Sequence, residues 1–99
     1  MIYYEGDIRN SLEALRGCVT LPEDRGGVDG LMETFVLFQT ACQTMQERQA
    51  REGIIALALI SRLGELEKET KDNNLRRLLR DEAGFLRTYF VLPLLSEMA

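Results

Sequence analysis

The most informative absence in this 99-residue chain is histidine, which does not occur once. Without histidine the chain lacks the usual general base, the usual proton shuttle and the commonest metal ligand. Histidine-assisted serine or cysteine catalysis within the chain is therefore excluded, as is a di-iron centre of the Glu-x-x-His type. The sequence accordingly favours a protein that is not an enzyme, and it predicts no cofactor and no metal site.

Cysteine and proline are both scarce. Cys18 and Cys42 are the only cysteines, and they do not form a C-x-x-C pair, so neither a zinc site nor a disulfide framework is indicated. We expect two reduced thiols. The only prolines, Pro22 and Pro93, leave long stretches free to be helical, and Pro93 is expected to end or kink the last helix.

Long apolar runs are also missing. The longest covers residues 54–60, far short of the about 20 residues that a membrane-spanning helix needs. The first residues show no basic region followed by an apolar stretch, so we expect no signal peptide, no membrane insertion and a cytoplasmic protein. The net charge of -4, from 16 acidic and 12 basic residues, argues against nucleic acid as a partner.

What the chain does contain is the hydrophobic periodicity of helices. Apolar residues make up 45% of the sequence and recur at spacings of three and four, whereas no stretch alternates with a period of two. We therefore predict an all-α fold, a single domain over residues 1–99 that forms a bundle of about four helices. A short first helix is expected with Asp7 as its N-cap, followed by a long glycine-rich loop over residues 17–30.

The second helix is predicted to begin at Asp29 and to carry an apolar stripe as far as Met45. Two alternatives remain for the next stretch. Gly53 either ends this helix and opens a tight hairpin, or the helix runs on through Gly53 to about Lys71. The apolar stripe stays in phase across residues 46–52, which supports continuity. A helix of about 40 residues would be about 60 Å long, however, and this favours a break or sharp kink near Gly53.

The last helix is predicted to follow a turn at residues 72–74, and the segment after it, residues 91–99, is unusually apolar for a chain terminus. We expect that segment to be buried in the protein's own core or against another chain. The helices carry more apolar surface than we expect the bundle to bury. From that surface we predict these interface residues: Phe38, Met45, Phe90, Leu92, Leu94 and Leu95.

These features predict a small helical protein–protein interaction module that forms a homodimer. It would act as an adaptor, a secretion-type chaperone, or a regulator or inhibitor that binds a larger protein through apolar helix faces. One alternative is a small helical enzyme or anion-binding bundle that uses Arg76, Arg80 and Arg87 beside Glu82. A second is a nucleic-acid-associated regulator that uses the same arginines.

Magnesium is a further ligand that carboxylates on adjacent helices can hold. The acidic residues with suitable spacing are Glu65, Glu69 and Asp72, with Glu82 opposite. Lysines at positions 68 and 71 interleave them, so the interpretation we favour is a solvated, salt-bridged helix face.

Overall fold

The computed structural model describes residues 2–98, with side chains described for residues 2–96, and it confirms the predicted all-α bundle. Within these residues the chain forms four main helices, and a π-helical segment leads from the fourth into a short fifth helix. The elements are α1 (Glu5–Arg16), α2 (Pro22–Ala41), α3 (Arg48–Glu69), α4 (Asn73–Leu86), the π-helical segment (Arg87–Val91) and α5 (Leu92–Met98).

The core lies around α3, which packs against α2, α4 and the C-terminal segment, while α1 lies across α2 and α4. Every main helix contributes fully buried aliphatic or aromatic side chains to one continuous cluster. Its largest members are Ile8, Leu12, Leu31, Phe35, Ile55, Leu59, Leu63, Leu75, Leu79 and Leu86. Burial of this apolar surface is the main force that holds the helices together.

The first helix starts earlier than the sequence predicts. Its first residue is Glu5, and its N-cap is Tyr4 rather than Asp7. Asp7 nevertheless caps the helix from the third helical position, because its carboxylate accepts a 2.7 Å hydrogen bond from the Tyr4 N–H. The apolar face of α1 is the predicted one, and it buries Ile8, Leu12 and Leu15.

The predicted loop over residues 17–30 is wrong, because most of it is helical. Helix α2 begins at Pro22 rather than at Asp29, and the connection from α1 shrinks to residues 17–21. A proline in the first turn is favourable for a helix start, and Glu23 and Asp24 add acidic charge where the helix dipole favours it. Gly27 has a packing role, since a Cβ at this position would collide with the Leu66 side chain of α3.

The break between the second and third helices lies at residues 42–47, so neither alternative for Gly53 is correct. Helix α3 begins at Arg48, where the Glu47 side chain caps it, and continues through Gly53 to Glu69. A helix of 22 residues is about 33 Å long. This helix fits within the molecule's longest dimension of 39 Å. The predicted continuous helix of about 60 Å would not fit.

Gly53 is buried inside α3 because the C-terminal segment packs directly over it. A Cβ at this position would lie 2.5 Å from Cδ2 of Leu94 and 3.1 Å from its Cβ. The glycine therefore permits close approach of α5 to α3, which is a tertiary requirement and not a signal for a helix end.

The predicted turn at residues 72–74 lies two residues earlier, at 70–72, and Asp72 is the N-cap of α4, whose first residues are Asn73 and Asn74. The Asp72 carboxylate accepts hydrogen bonds from the N–H groups of Asn74 and Leu75, at 2.9 and 3.3 Å. At the other end of α4, Pro93 does not end the helix. The Leu92 N–H donates to the carbonyl of Arg87, five residues back. This π turn shifts the hydrogen-bond register immediately before a proline that has no N–H to contribute.

Candidate functional site

The apolar C-terminal segment divides into side chains that face the core and side chains that face solvent. Phe90 is only 3% exposed, and its ring packs edge-on against Phe85 with centroids 5.8 Å apart. Phe90 is therefore a core residue, and its prediction as an interface residue is corrected. Leu94 packs onto Gly53, whereas Leu92 and Leu95 are 49% and 51% exposed.

The two exposed leucines are part of a set of four exposed apolar residues, contributed by the N-terminal residues and by the C-terminal segment on which Tyr3 packs. We call it the C-terminal surface and define it as Ile2, Tyr89, Leu92 and Leu95, all large and exposed. The intervening Tyr3 anchors the N-terminal residues there, since its ring lies 4.6 Å from that of Tyr89. The four residues account for half of the eight exposed large hydrophobic side chains in the described part of the chain, so apolar exposure is concentrated here.

A cleft of about 160 Å³ opens in the C-terminal surface. Its walls include Ile2, Tyr89 and Pro93 on the apolar side and Arg48 and Glu52 on the polar side. Cavities that hold drug-sized ligands measure about 300–1,000 Å³, so this cleft has room for one side chain of another molecule. Its size and its mixed walls suit a docking contact better than an enclosed substrate site.

A buried hydrogen-bond network fixes the N-terminal residues beside this cleft. The Glu52 carboxylate accepts from the Glu5 N–H and from Arg48, both at 2.9 Å. Burial raises the pKa of Glu52 above its usual value, and Arg48 opposes that shift. The Glu5 carboxylate in turn pairs with Arg51 at 3.1 Å and accepts from Gln39 at 2.5 Å. The network thus ties the start of α1 to α3 and α2, and its groups satisfy one another.

The second exposed apolar region is the α2 surface, which we define as Met32, Val36 and Leu37. Leu37 is 66% exposed, and Glu33 lies among the three apolar side chains. All of these residues come from one helix; Val36 and Leu37 are exposed, whereas Met32 is half-buried and packs against the core cluster. The α2 surface has three apolar residues against four in the C-terminal surface, and the acidic residue Glu33 lies among them.

The other two residues that the sequence proposed for an interface, Phe38 and Met45, belong to neither surface. Phe38 is half-buried and packs against the core cluster. Met45 lies in the turn between α2 and α3, where its carbonyl accepts a hydrogen bond from Arg51. The structure thus brings together Leu92 and Leu95 from the proposed set and separates them from these two.

Two of the three candidate anion-binding arginines hold the end of α3 against α4. The Arg76 guanidinium donates to the carbonyls of Glu67 and Thr70, at 3.1 and 2.6 Å. Arg80 pairs with the Glu67 carboxylate at 2.8 Å, and the Arg87 side chain is exposed at the start of the π-helical segment. Internal partners therefore engage Arg76 and Arg80, and this geometry does not favour the anion-binding alternative.

The candidate magnesium ligands also have internal partners, and these partners lie in different places. Glu65 pairs with Arg62 at 2.8 Å. Asp72 caps α4, and the hydrogen bond from the Leu75 N–H holds its pKa below the usual value, with help from the Thr20 hydroxyl. Glu82 is buried against α1. Among the side chains of residues 2–96, no three of metal-binding type come together in one place.

The sequence did not indicate Ile2 and Tyr89 as parts of a surface. Tyr89 precedes Leu92 by three residues, which is a helical spacing, and this was the one available signal. The position of Ile2 depends on the packing of Tyr3 against the C-terminal aromatic rings, which spacing alone does not reveal.

No protein-family model matches the chain, and no curated protein or solved structure is significantly similar to it. Among the described residues, no helix combines the length and the apolar character needed to span a bilayer. The class that the fold defines is a small all-α bundle, and the argument for function rests on its surfaces.

Proposed function

We propose that this protein is a non-catalytic helical interaction module that docks through its C-terminal surface, and that its first partner is a second copy of the chain. One observation carries the proposal: four large apolar side chains are exposed where the two ends of the chain meet. Scattered exposed apolar residues are normal on a soluble protein, but a local concentration of them marks an interaction surface.

A symmetric contact uses such a surface efficiently. In a two-fold dimer the same patch serves both subunits, so the four residues are buried twice. Full burial of a leucine or a similar side chain contributes about 1.5–3 kcal/mol. Because these side chains are about half exposed in the monomer, dimerisation would add about half of that free energy for each of them. The patch is small compared with a standard interface of about 800 Å² per partner, so we expect a weak dimer with a Kd on the order of 10 µM.

A weak dimer also leaves the surface available to another protein. Adaptors, secretion-type chaperones and small regulators work by covering apolar surface on a larger protein, and the same four side chains would serve that purpose. The absence of histidine and the internal pairing around Glu52 support a non-catalytic role. A cytoplasmic location, where both thiols stay reduced, is part of the proposal.

Sedimentation equilibrium of matched variants tests this proposal. The double variant Leu92→Asp/Leu95→Asp places two charges on the C-terminal surface and should leave only monomer, while circular dichroism shows unchanged helicity. The control is Leu37→Asp, which places a charge on the α2 surface and should dimerise like the unmodified chain. A strictly monomeric unmodified chain at about 100 µM would contradict the proposal, as would a dimer that only Leu37→Asp disrupts.

A further inference from the structure

Glu82 is a buried carboxylate without a cation. It lies on the inner side of α4 and is only 8% exposed. Its one hydrogen bond in the described structure is with the Ser11 hydroxyl of α1, at 2.5 Å, and that hydroxyl also lies 2.9 Å from the Ile8 carbonyl oxygen. Among the described side chains no lysine or arginine pairs with it, which distinguishes it from Glu52 and its Arg48 partner. Buried charges in proteins are normally paired, so this arrangement calls for an explanation.

An open cleft of about 210 Å³ lies beside this carboxylate, between α1 and α4. Leu15 and Leu78 provide apolar walls, and Glu82 lies at one side of the cleft. Asp81, another wall residue, is well exposed to solvent and pairs with Arg77 at 3.9 Å. The cleft therefore combines apolar walls with a buried carboxylate that no cation of the described chain pairs with.

The ligand class follows from this combination. Apolar walls suit a short methylene chain, and a buried carboxylate beside them suits a positively charged group that can donate several hydrogen bonds. A primary alkylammonium has both parts, since its ammonium carries three donors on a slender aliphatic stem. An anion or an uncharged alkane would leave the carboxylate without a counter-charge.

We propose that the cleft between α1 and α4 binds a primary alkylammonium group, whose nitrogen pairs with the Glu82 carboxylate while its stem lies between Leu15 and Leu78. The incoming ammonium supplies the counter-charge that the fold does not. Burial raises the pKa of Glu82, and the Ser11 hydrogen bond only partly opposes this, which agrees with a carboxylate held in an apolar setting. The site lies away from the C-terminal surface, so it does not depend on the proposed dimer.

Titration of the isotopically labelled protein with n-butylammonium chloride tests the site. Methyl ¹H–¹³C spectra report on Leu15 and Leu78, and sodium chloride keeps the ionic strength constant. We expect saturable shifts of both methyl groups below about 100 mM ligand. The neutral analogue n-butanol, with the same stem, should bind at least about tenfold more weakly.

Two variants with the same change of charge provide the comparison. Glu82→Gln keeps an acceptor for the Ser11 hydroxyl but removes the charge, so it should weaken n-butylammonium binding at least about tenfold. Glu33→Gln removes an exposed charge on α2 and should bind like the unmodified protein. Equal binding by Glu82→Gln, equal shifts with n-butanol, or no shifts at all would each overturn the proposal. A native methyl spectrum for Glu82→Gln excludes misfolding as the cause.

A second ligand identifies the source of the ammonium group. Nα-acetyl-lysine N-methylamide carries the same group on a peptide backbone. If it binds within about tenfold of n-butylammonium, the cleft accepts a lysine side chain of another protein. If only n-butylammonium binds, the site takes a small free amine. Both outcomes support the site and differ only in its natural ligand.

Discussion

The two exposed apolar surfaces of this molecule are built in different ways. The α2 surface belongs to one regular helix, so its residues are neighbours along the sequence. The C-terminal surface combines the first residues with the π-helical segment and α5, and it depends on Tyr3, Phe90, Leu94 and Gly53 for its placement. A surface assembled in this way depends on the anchors beneath it, whereas the α2 surface depends only on its own helix. Four predictions follow from this difference.

The largest expected effect comes from removing an anchor of the C-terminal surface. Phe90→Ala leaves a cavity in the core and should lower the free energy of unfolding by about 3–5 kcal/mol. Val36→Ala on the α2 surface removes a side chain that is already well exposed and should stay within about 0.5 kcal/mol. Urea unfolding measures both. A loss below about 1 kcal/mol for Phe90→Ala would remove the distinction between the surfaces.

The contact between Gly53 and Leu94 gives the next largest effect. Gly64→Ala, also inside α3, adds a methyl group where nothing lies within 4 Å, and should stabilise the protein by about 0.5–1 kcal/mol. Gly53→Ala gains the same helix propensity but must displace Leu94, so we expect a protein about 1–3 kcal/mol less stable than the Gly64 variant. If the two variants are equally stable in urea, α5 does not pack on α3 as described.

Charging the exposed leucines should change stability much less. Leu92→Asp/Leu95→Asp alters two half-exposed positions and should leave the free energy of unfolding within about 1 kcal/mol, even though we expect the dimer to be lost. The matched Leu37→Asp variant should be equally stable. Urea unfolding well below the dimer Kd separates folding from association. A large loss of stability in the double variant alone would show that these leucines belong to the core.

The smallest expected difference concerns pH. Burial raises the pKa of Glu52 above 4.5, so the folded state keeps a proton that the unfolded state releases. The contribution of Glu52 to stability therefore falls as pH rises from 4.5 to its folded-state pKa, and is constant above it.

The variant Glu52→Gln removes this titration and keeps an acceptor for the Glu5 N–H. Its stability relative to the unmodified chain should therefore increase with pH across that window. The control Glu33→Gln lies on the α2 surface and should show no such trend. Urea unfolding at closely spaced pH values measures the differences, and parallel pH curves for the unmodified chain and Glu52→Gln would refute the assignment.

The sequence predicted the structure best where a residue type has a single structural role. Leucines at helical spacing gave the buried faces of α1 and α4, and the Asp-Asn-Asn turn gave the start of α4. The prediction failed at Gly27 and Gly53, because glycine serves both in loops and where helices approach closely. At both sites the deciding partner, Leu66 or Leu94, is about 40 residues away in the chain.

The candidate interface was predictable only in part. The apolar composition of residues 91–99 indicated that the segment needs a partner or a core. Which side chains face outward depends on the π turn at Arg87–Val91, which shifts the register of α5 relative to α4. Phe90 follows the buried Leu86 at the ordinary helical spacing of four, whereas Val91, five residues after Leu86, is also buried, and a single α-helical period does not give that.

The most direct measurement of the central claim is a dilution series followed by methyl ¹H–¹³C spectra of the unmodified protein, from about 500 µM to about 5 µM. The account predicts concentration-dependent shifts at Ile2, Leu92 and Leu95, with Val36 and Leu37 unchanged. Shifts confined to Val36 and Leu37, or spectra that do not change with concentration, would contradict it.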